Sequence, residues 1–203
     1  MTGGIAQDNQ NLDGYLSQIR ELDIENIPHI LGIQKRDQGY RFNFFNRPIL
    51  FDHNDFIDLS GKELSPSVKT VLCKYIINCP QTPLESSGRL MTFREFPGAG
   101  PLFSKFADNT NKTIEITFSK RLEEFKKKCK EMYGMPLSNA SYDLNMRFKA
   151  LPKIPVTLQF NDTDEIFPAK AVFFFYDDAI QYLDLKSLAG IITYLTGLLI
   201  SSL

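Results

Sequence analysis

Tryptophan is absent from the 203-residue sequence, and histidine and cysteine are scarce, with two and three residues respectively. The three cysteines, Cys73, Cys79 and Cys129, are odd in number, and a chain of this length buries enough surface to fold without disulfides. We therefore expect reduced thiols, which are typical of the cytoplasm. Because no C-x-x-C pair and no fourth ligand are present, the sequence predicts no structural metal site built on cysteine.

An excess of charge of either sign is also lacking, since 23 basic residues stand against 24 acidic residues and the net charge is −1. Binding of nucleic acid through bulk charge requires a basic surface, so we expect no nucleic-acid partner, with a local basic patch as the alternative. The N-terminus has neither a basic start nor an apolar run, unlike a signal peptide. We therefore predict a cytoplasmic protein.

Long hydrophobic runs are missing as well, because a membrane span needs about 20 apolar residues and the uncharged segment 187–203 has only 17. The apolar residues of this segment fall on one helical face, and its small and polar residues, which include Ser187 and Gly190, fall on the other. Such a division is typical of a core helix. We predict that this helix, capped by Asp184, packs on its own domain; contact with a partner or with a membrane is the alternative.

Aromatic residues are abundant, with 17 Phe and 8 Tyr, so much of the core must consist of aromatic rings. Alternation of apolar residues predicts strands, and apolar spacings of three and four predict helices. The sequence predicts a hairpin over residues 40–59 that turns at 46–48, and strands at 90–96, 142–151, 156–160 and 169–176. The predicted helices are residues 12–22 with Asn11 as cap, 65–79, 118–132 with Gly134 as the C-cap glycine, and the terminal helix.

These elements predict an α+β fold in which antiparallel sheet or sheets carry helices packed on one face. Residues 1–10 are small and polar, which predicts a disordered N-terminus. Residues 11–203 contain no long linker and no internal repeat, so we predict a single domain. The predicted helix at 118–132 has a charged outer face, which is either a basic surface for phosphate or nucleic acid or, as we prefer, a solvated face with the pairs Glu123/Lys127 and Glu124/Lys128.

The most distinctive polar segment is residues 89–100, which we call the arginine segment. Its candidate ligand-binding residues are Arg89, Arg94, Glu95, Gly98 and Gly100. Backbone amides in a glycine-rich turn can surround an anion, and arginine can bind a carboxylate or phosphate through two nitrogens. The alternative is ordinary salt bridges, with glycines that serve only the turn. The segment matches neither a Walker A loop nor a complete dinucleotide fingerprint.

Four further groups of residues are weaker candidates. His53 lies between carboxylates and could be a catalytic base or a metal ligand, but we favour a polar loop residue. A cysteine nucleophile would need a nearby histidine. Residues 161–165 begin like a calcium loop but lack its glycine and its last glutamate, so we predict a hairpin turn. Asp177 and Asp178 are more typical of a strand end than of an acid–base pair.

The order of several segments resembles an uncharacterised family, domain of unknown function 3786, over about residues 30–199. The resemblance rests on five short segments, residues 39–45, 71–77, 92–98, 147–155 and 164–169, with the sequences GYRFNFF, VLCKYII, TFREFPG, RFKALPKIP and DEIFPA. It implies a protein of anaerobic bacteria or archaea and a setting in anaerobic redox or one-carbon metabolism. It carries over no catalytic residue and leaves the cofactor unknown, and this chain lacks the four-cysteine iron–sulfur module attached to some members.

Three functions are consistent with these patterns. We prefer a non-catalytic binding module for a small anionic ligand, a cofactor or a protein partner at the arginine segment. The second is an enzyme, a hydrolase or transferase that uses Glu95, His53 or a cysteine. The third is a structural subunit that docks through its C-terminal helix.

Overall fold

The structure is a computed structural model that describes residues 3–22, 26–138 and 141–201, with side chains from Asn11 onward. In chain order its elements are α1 (Gly3–Arg20), α2 (Ile27–Leu31), β1 (Gln34–Arg36), β2 (Gly39–Phe44), β3 (Arg47–Phe51), β4 (Phe56–Asp58), α3 (Pro66–Ile77), β5 (Leu90–Thr92), a 3-10 helix (Phe93–Glu95), α4 (Gly100–Asn109), α5 (Asn111–Phe118), α6 (Leu122–Glu131), β6 (Met135–Pro136), β7 (Leu144–Leu151), β8 (Ile154–Asn161), β9 (Lys170–Tyr176), α7 (Ala179–Tyr182) and α8 (Leu185–Ile200). Two antiparallel sheets occur with these helices, so the predicted α+β class is confirmed.

The chain divides into two compact units, each built from three segments of sequence. The first unit comprises Met1–Glu85, Leu151–Lys153 and Asp178–Gly190, and the second comprises Ser86–Ala150, Ile154–Asp177 and Ile191–Leu203. The chain therefore passes from one unit to the other after residues 85, 150, 153, 177 and 190. The assignment of residues 11–203 to a single domain stays a prediction.

The first unit contains a four-stranded meander in the order β1-β2-β3-β4. Phe42 pairs with Ile49 across β2 and β3, and both side chains are buried. The predicted hairpin is confirmed, but its turn lies at Phe45, with a φ of 53°, and Asn46. Pro48 already pairs within β3, because a proline near the start of a strand is compatible with the sheet.

Helix α3 of the first unit begins as the sequence predicts. The Ser65 hydroxyl accepts the backbone N–H of Val68 at 3.4 Å, and Pro66 occupies the first helical position. Helix α3 packs on α1. The buried hydroxyl of Tyr75 donates to the carbonyl of Leu31 at 2.8 Å and accepts the N–H of Lys153 at 3.1 Å. These contacts fix the orientation of α3 within its unit.

Helix α1 begins at Gly3, so the predicted helix start and the cap at Asn11 are wrong. Apolar spacing identifies only the packed part of a helix, and residues 3–10 have no such spacing. Residues 1 and 2, and the side chains of residues 3–10, lie outside the described residues. The disordered N-terminus at residues 1–10 therefore stays a prediction.

The second unit contains a five-stranded antiparallel sheet in the order β5-β9-β8-β7-β6. Leu158 of β8 pairs with Phe173 of β9 on a buried face. Phe125 of α6 packs edge-on against Phe160 of β8, with ring centroids 5.1 Å apart, and stacks on Phe118 of α5 at 4.0 Å. Helices thus cover the aromatic face of this sheet, as the sequence predicts.

The predicted helix at residues 118–132 is two helices. Phe118 ends α5, and α6 starts at Leu122. Lys120 between them has a φ of 61°, and its backbone N–H donates to the Asp162 carboxylate at 2.7 Å. The apolar spacing of the sequence continues through this break and therefore does not reveal it. The break depends on a contact between residues 42 positions apart in sequence.

Charged residues on α6 form ion pairs on a solvated face, which supports our preferred interpretation, but with other partners than predicted. Glu123 pairs with Lys126 at 2.8 Å and Glu124 with Arg121 at 2.7 Å, so the pairs Glu123/Lys127 and Glu124/Lys128 are wrong. The spacing is three residues in place of four, which also brings side chains together on a helix.

The predicted strand at residues 90–96 is shorter than expected. It ends at Thr92, and the 3-10 helix begins at the next residue.

The left-handed position at the end of α6 lies one residue before the glycine that the sequence predicts for it. The residue with positive φ is Tyr133, at 59°, whereas Gly134 is required because a Cβ there would lie 2.8 Å from the Cys129 carbonyl oxygen.

The terminal helix α8 confirms the sequence prediction of a buried core helix with an acidic cap. The Asp184 carboxylate accepts the backbone N–H of Ser187 at 2.7 Å. The side chains of Leu188, Ile191, Ile192, Leu195 and Leu199 are fully buried within the chain, which favours a core helix over a docking helix. Among the described residues, we find no helix that is long and apolar enough to cross a membrane.

Candidate functional site

The arginine segment joins β5, the 3-10 helix and the start of α4 in the second unit. The Glu95 carboxylate accepts the backbone N–H of Thr92 at 2.6 Å and the Thr92 hydroxyl at 2.9 Å. These two hydrogen bonds, with the charge of Arg89, hold the pKa of Glu95 below its usual value. The carboxylate therefore caps the 3-10 helix, and it accepts the backbone N–H of Thr92, the last residue of β5.

The two arginines of the segment are not brought to one point. Arg89 Nη2 lies 3.8 Å from Glu95 Oε1, and its side chain is 67% exposed. The Arg94 guanidinium lies 5.5 Å from the ring centroid of Phe103. The predicted site residues thus share a surface strip, but only Arg89 and Glu95 interact.

The two glycine positions of the segment differ in whether the backbone requires glycine. Gly98 has a φ of 81° and supplies the turn that precedes α4. A Cβ on Gly100 would meet open space, so the backbone there tolerates a side chain. Anion binding at this turn stays a prediction.

The residues proposed for an enzyme have other roles in their own units. His53 has a φ of 74° and packs edge-on against Tyr40, with ring centroids 5.4 Å apart. Burial raises the pKa of the Cys73 thiol to about 12, with the nearby charge of Asp55 adding to the effect. Burial also raises the pKa of the Cys129 thiol. At neutral pH both thiols are protonated and lack the nucleophilic thiolate form.

The acidic segment 161–165 follows β8 as the hairpin turn that the sequence predicts, since β8 and β9 pair antiparallel. The Asp164 carboxylate accepts the backbone N–H groups of Ile166 and Phe167, each at 2.7 Å. The Asp177 carboxylate at the end of β9 accepts the Ser87 hydroxyl at 2.6 Å. Within residues 3–22, 26–138 and 141–201, no three His, Cys, Asp or Glu side chains are grouped so as to hold a metal ion.

A cleft of about 210 Å³ lies in the first unit between α1, α3 and the start of α8, and we call it the lysine cleft. Its polar lining comes from Asn11 and Tyr15 of α1, from Ser67, Thr70 and Lys74 of α3, and from Lys186 and Ser187 of α8. Positions 67, 70 and 74 are three and four residues apart and therefore face the same side of α3. The cleft gathers two ammonium groups and four hydroxyl groups from three helices.

One of the two lysines is held in place. Lys74 Nζ lies 2.5 Å from Asp184 Oδ2 and 5.5 Å from the ring centroid of Tyr15. Burial opposes ionisation of Asp184, but the hydrogen bonds from Lys74 and Ser187 outweigh it, so the pKa of Asp184 is lowered. Asp184 is therefore a carboxylate at neutral pH.

The second lysine and the floor of the cleft leave room for a ligand. Lys186 is exposed and has no carboxylate partner in the part of the chain that the structure describes. Gly190, which also lines the cleft, has no side chain to fill it, and an added Cβ would lie at an ordinary contact distance of 3.8 Å from Val71. With the charges of Lys74, Lys186 and Asp184 summed, the cleft is cationic by one unit.

Sequence reasoning missed the lysine cleft, although two signals for it were present. Ser187 and Gly190 were assigned to the small, polar face of the terminal helix, and this face lines the cleft. Ser67, Thr70 and Lys74 form a polar stripe on a helix whose start was recognised. The two stripes are far apart in sequence, and Lys74 and Asp184 are separated by 110 residues, so their approach could not be inferred from spacing.

Comparison with known proteins yields one family. The family model described as "Domain of unknown function (DUF3786)" matches residues 23–197 of the chain. Neither the curated proteins nor the solved structures contain a match. The match covers both polar stripes that line the lysine cleft, as well as the whole arginine segment.

Proposed function

The chain belongs to the DUF3786 family, a domain of unknown function, and from this premise we propose that it is a non-catalytic binding module for a small anionic ligand. The proposal places the ligand in the lysine cleft and not at the arginine segment. The observation that carries it is the convergence of Lys74, Lys186 and hydroxyl groups around about 210 Å³ of open space.

The lining suits an anion by its charge and its donors. An ammonium group offers three N–H donors and no acceptor, and each hydroxyl offers one donor. Ser67, Thr70 and Tyr15 can therefore hydrogen-bond an oxyanion that Lys186 attracts. The volume is below the range of about 300–1,000 Å³ for drug-sized ligands, which favours a small carboxylate or phosphate.

The lining also favours binding over catalysis. The residues that line the cleft include no carboxylate, no imidazole and no thiol. Carboxylates and imidazoles are the usual general bases that activate a serine or threonine hydroxyl as a nucleophile, and the hydroxyl groups of this lining have neither beside them among the lining residues. We therefore assign no reaction to the cleft.

The cellular setting that we propose rests on the family resemblance and on the cysteines. The resemblance implies the metabolism of an anaerobe, and the free thiols of Cys73, Cys79 and Cys129 fit a reducing compartment. We propose the cytoplasm, which fractionation of cells that express the protein tests directly.

A titration with inorganic phosphate and with succinate, followed by amide NMR shifts, tests the proposed function. We expect Lys186→Ala to weaken binding about tenfold, equivalent to about 1.4 kcal/mol. Arg94→Ala is the matched control, because it removes one exposed cation from the arginine segment, and we expect it to bind like the unmodified chain.

Each outcome has a definite meaning. Equal binding by Lys186→Ala would remove the ligand from the lysine cleft. Loss of binding only in Arg94→Ala would transfer the site to the arginine segment, as the sequence predicts. If the unmodified chain binds neither anion, the proposed function is wrong.

A further inference from the structure

The ammonium group that faces the lysine cleft already has an anionic partner. Lys74 Nζ lies 2.5 Å from Asp184 Oδ2, while Asp184 Oδ1 accepts the backbone N–H of Ser187 at 2.7 Å. The Lys74 side chain is only 16% exposed, whereas Asp184 is 45% exposed. Lys74 and Ser187, both bound by this carboxylate, are lining residues of the cleft.

We propose that Asp184 competes with the ligand for Lys74 and thereby lowers the affinity of the cleft for anions, most of all for dianions such as phosphate. This inference rests on the proposed function, because it concerns the same cleft. A monocarboxylate that replaces Asp184 at Lys74 exchanges one carboxylate for another and gains little. A dianion is attracted more strongly by Lys74 and Lys186, but the Asp184 charge also repels it about twice as strongly as it repels a monoanion.

The geometry of Asp184 allows its charge to be removed without removing its cap. Asparagine supplies the same Oδ1 acceptor and is among the preferred N-cap residues. The Asp184 carbonyl also accepts the N–H of Leu188 at 3.0 Å, which is independent of the side chain. Asp184→Asn therefore preserves the start of α8 and frees Lys74.

Helix α3 offers a closely matched control. Lys69 pairs with Asp55 in the same unit, and the two side chains are 20% and 44% exposed. Asp55 Oδ1 accepts a backbone N–H, from Phe56 at 2.7 Å, just as Asp184 Oδ1 does. Lys69 does not line the cleft, so Asp55→Asn makes the same charge change and frees a lysine elsewhere on α3.

The test compares the unmodified chain, Asp184→Asn and Asp55→Asn by titration with inorganic phosphate and with acetate at one pH and ionic strength. We expect Asp184→Asn to bind phosphate about tenfold more tightly, a gain of the size that one nearby charge produces. Its preference for phosphate over acetate should widen, because the dianion loses more repulsion than the monoanion. Asp55→Asn should bind both anions like the unmodified chain.

The outcomes separate this inference from the proposed function. If the unmodified chain binds and Asp184→Asn binds no better than Asp55→Asn, the competition is refuted and the binding function stands. If none of the three proteins binds either anion, both are refuted. Should Asp184→Asn fail to fold by circular dichroism, Asp184→Ser provides another neutral cap and must show the same gain.

Discussion

At the scale of single residues, Asp58 is a buried carboxylate that is enclosed by its own partners. It is fully buried, and it accepts hydrogen bonds from Arg47 Nε at 2.6 Å, the Ser60 N–H at 2.8 Å and the Ser60 hydroxyl at 2.7 Å. Arg47 also donates to the carbonyls of Lys62 and Glu63. The pair thus ties the end of β4 to the segment that leads into α3.

Replacement of Asp58 by asparagine is expected to destabilise the first unit. It leaves the largely buried guanidinium of Arg47 without its charge partner, and the loss of one partner of a buried pair costs about 3–5 kcal/mol. Urea unfolding followed by circular dichroism measures the change. Glu124→Asn, which removes an exposed pair with Arg121, is the control and should change the free energy of unfolding by less than about 1 kcal/mol.

The same carboxylate predicts a pH dependence. Burial raises the pKa of Asp58, but the bonds from Ser60 and Arg47 outweigh it, so the folded pKa is below the ordinary value. Its contribution to stability is therefore complete above about pH 4, the pKa of an unfolded aspartate, and is lost as the pH falls through the folded pKa. Asp58→Asn should show a flatter loss of stability below pH 4, and an unchanged acid limb would contradict this role.

At the scale of secondary structure, the end of α6 shows how one position can be strained and the next one crowded. Tyr133 holds a φ of 59° although its side chain is 74% exposed. The N–H of Gly134 donates to the Cys129 carbonyl at 2.8 Å, which closes the helix end. A left-handed residue other than glycine costs about 1–3 kcal/mol.

Two substitutions at this helix end should act in opposite directions. Tyr133→Gly should raise the free energy of unfolding by up to about 1 kcal/mol, because relief of strain exceeds the added freedom of the unfolded chain. Gly134→Ala should lower it, since the new Cβ would lie 2.8 Å from both the Cys129 carbonyl oxygen and the Phe148 ring. Thermal unfolding of the two variants provides the measurement, and equal signs would contradict the geometry.

Elements were predictable from sequence where local pattern determined them. The alternation in β7 and β8, and the cap at Ser65, depend on neighbouring residues only. The break before Leu122 was missed because the Lys120 backbone N–H is bound by the carboxylate of Asp162, which follows β8 and is 42 residues away in sequence. The lysine cleft was missed for the same reason, since its lining comes from three distant helices.

At the scale of the whole molecule, neither unit is a continuous piece of the chain. The first unit needs Lys153 to satisfy the Tyr75 hydroxyl and Asp184 to pair with Lys74, and both residues come from beyond residue 85. We therefore expect a fragment of residues 1–85 to lack cooperative thermal unfolding. Circular dichroism and size-exclusion chromatography test this, with the 203-residue chain as control.

A sigmoidal melting curve for the fragment would show that the first 85 residues are sufficient for the unit. Addition of a peptide of residues 178–190 sharpens the test, because this segment supplies α7 and the start of α8. If the unit requires it, the peptide should increase the helical signal of the fragment.

The repeated passage of the chain between the two units also constrains the order of events during synthesis on the ribosome. Translation delivers the meander and α3 long before Asp178–Gly190 exists, and it delivers the five-stranded sheet before Ile191 and the residues that follow. A nascent chain therefore carries incomplete aromatic cores for most of its elongation. Final folding must wait for the last helix, and chaperones that bind exposed aromatic segments have that whole interval in which to act.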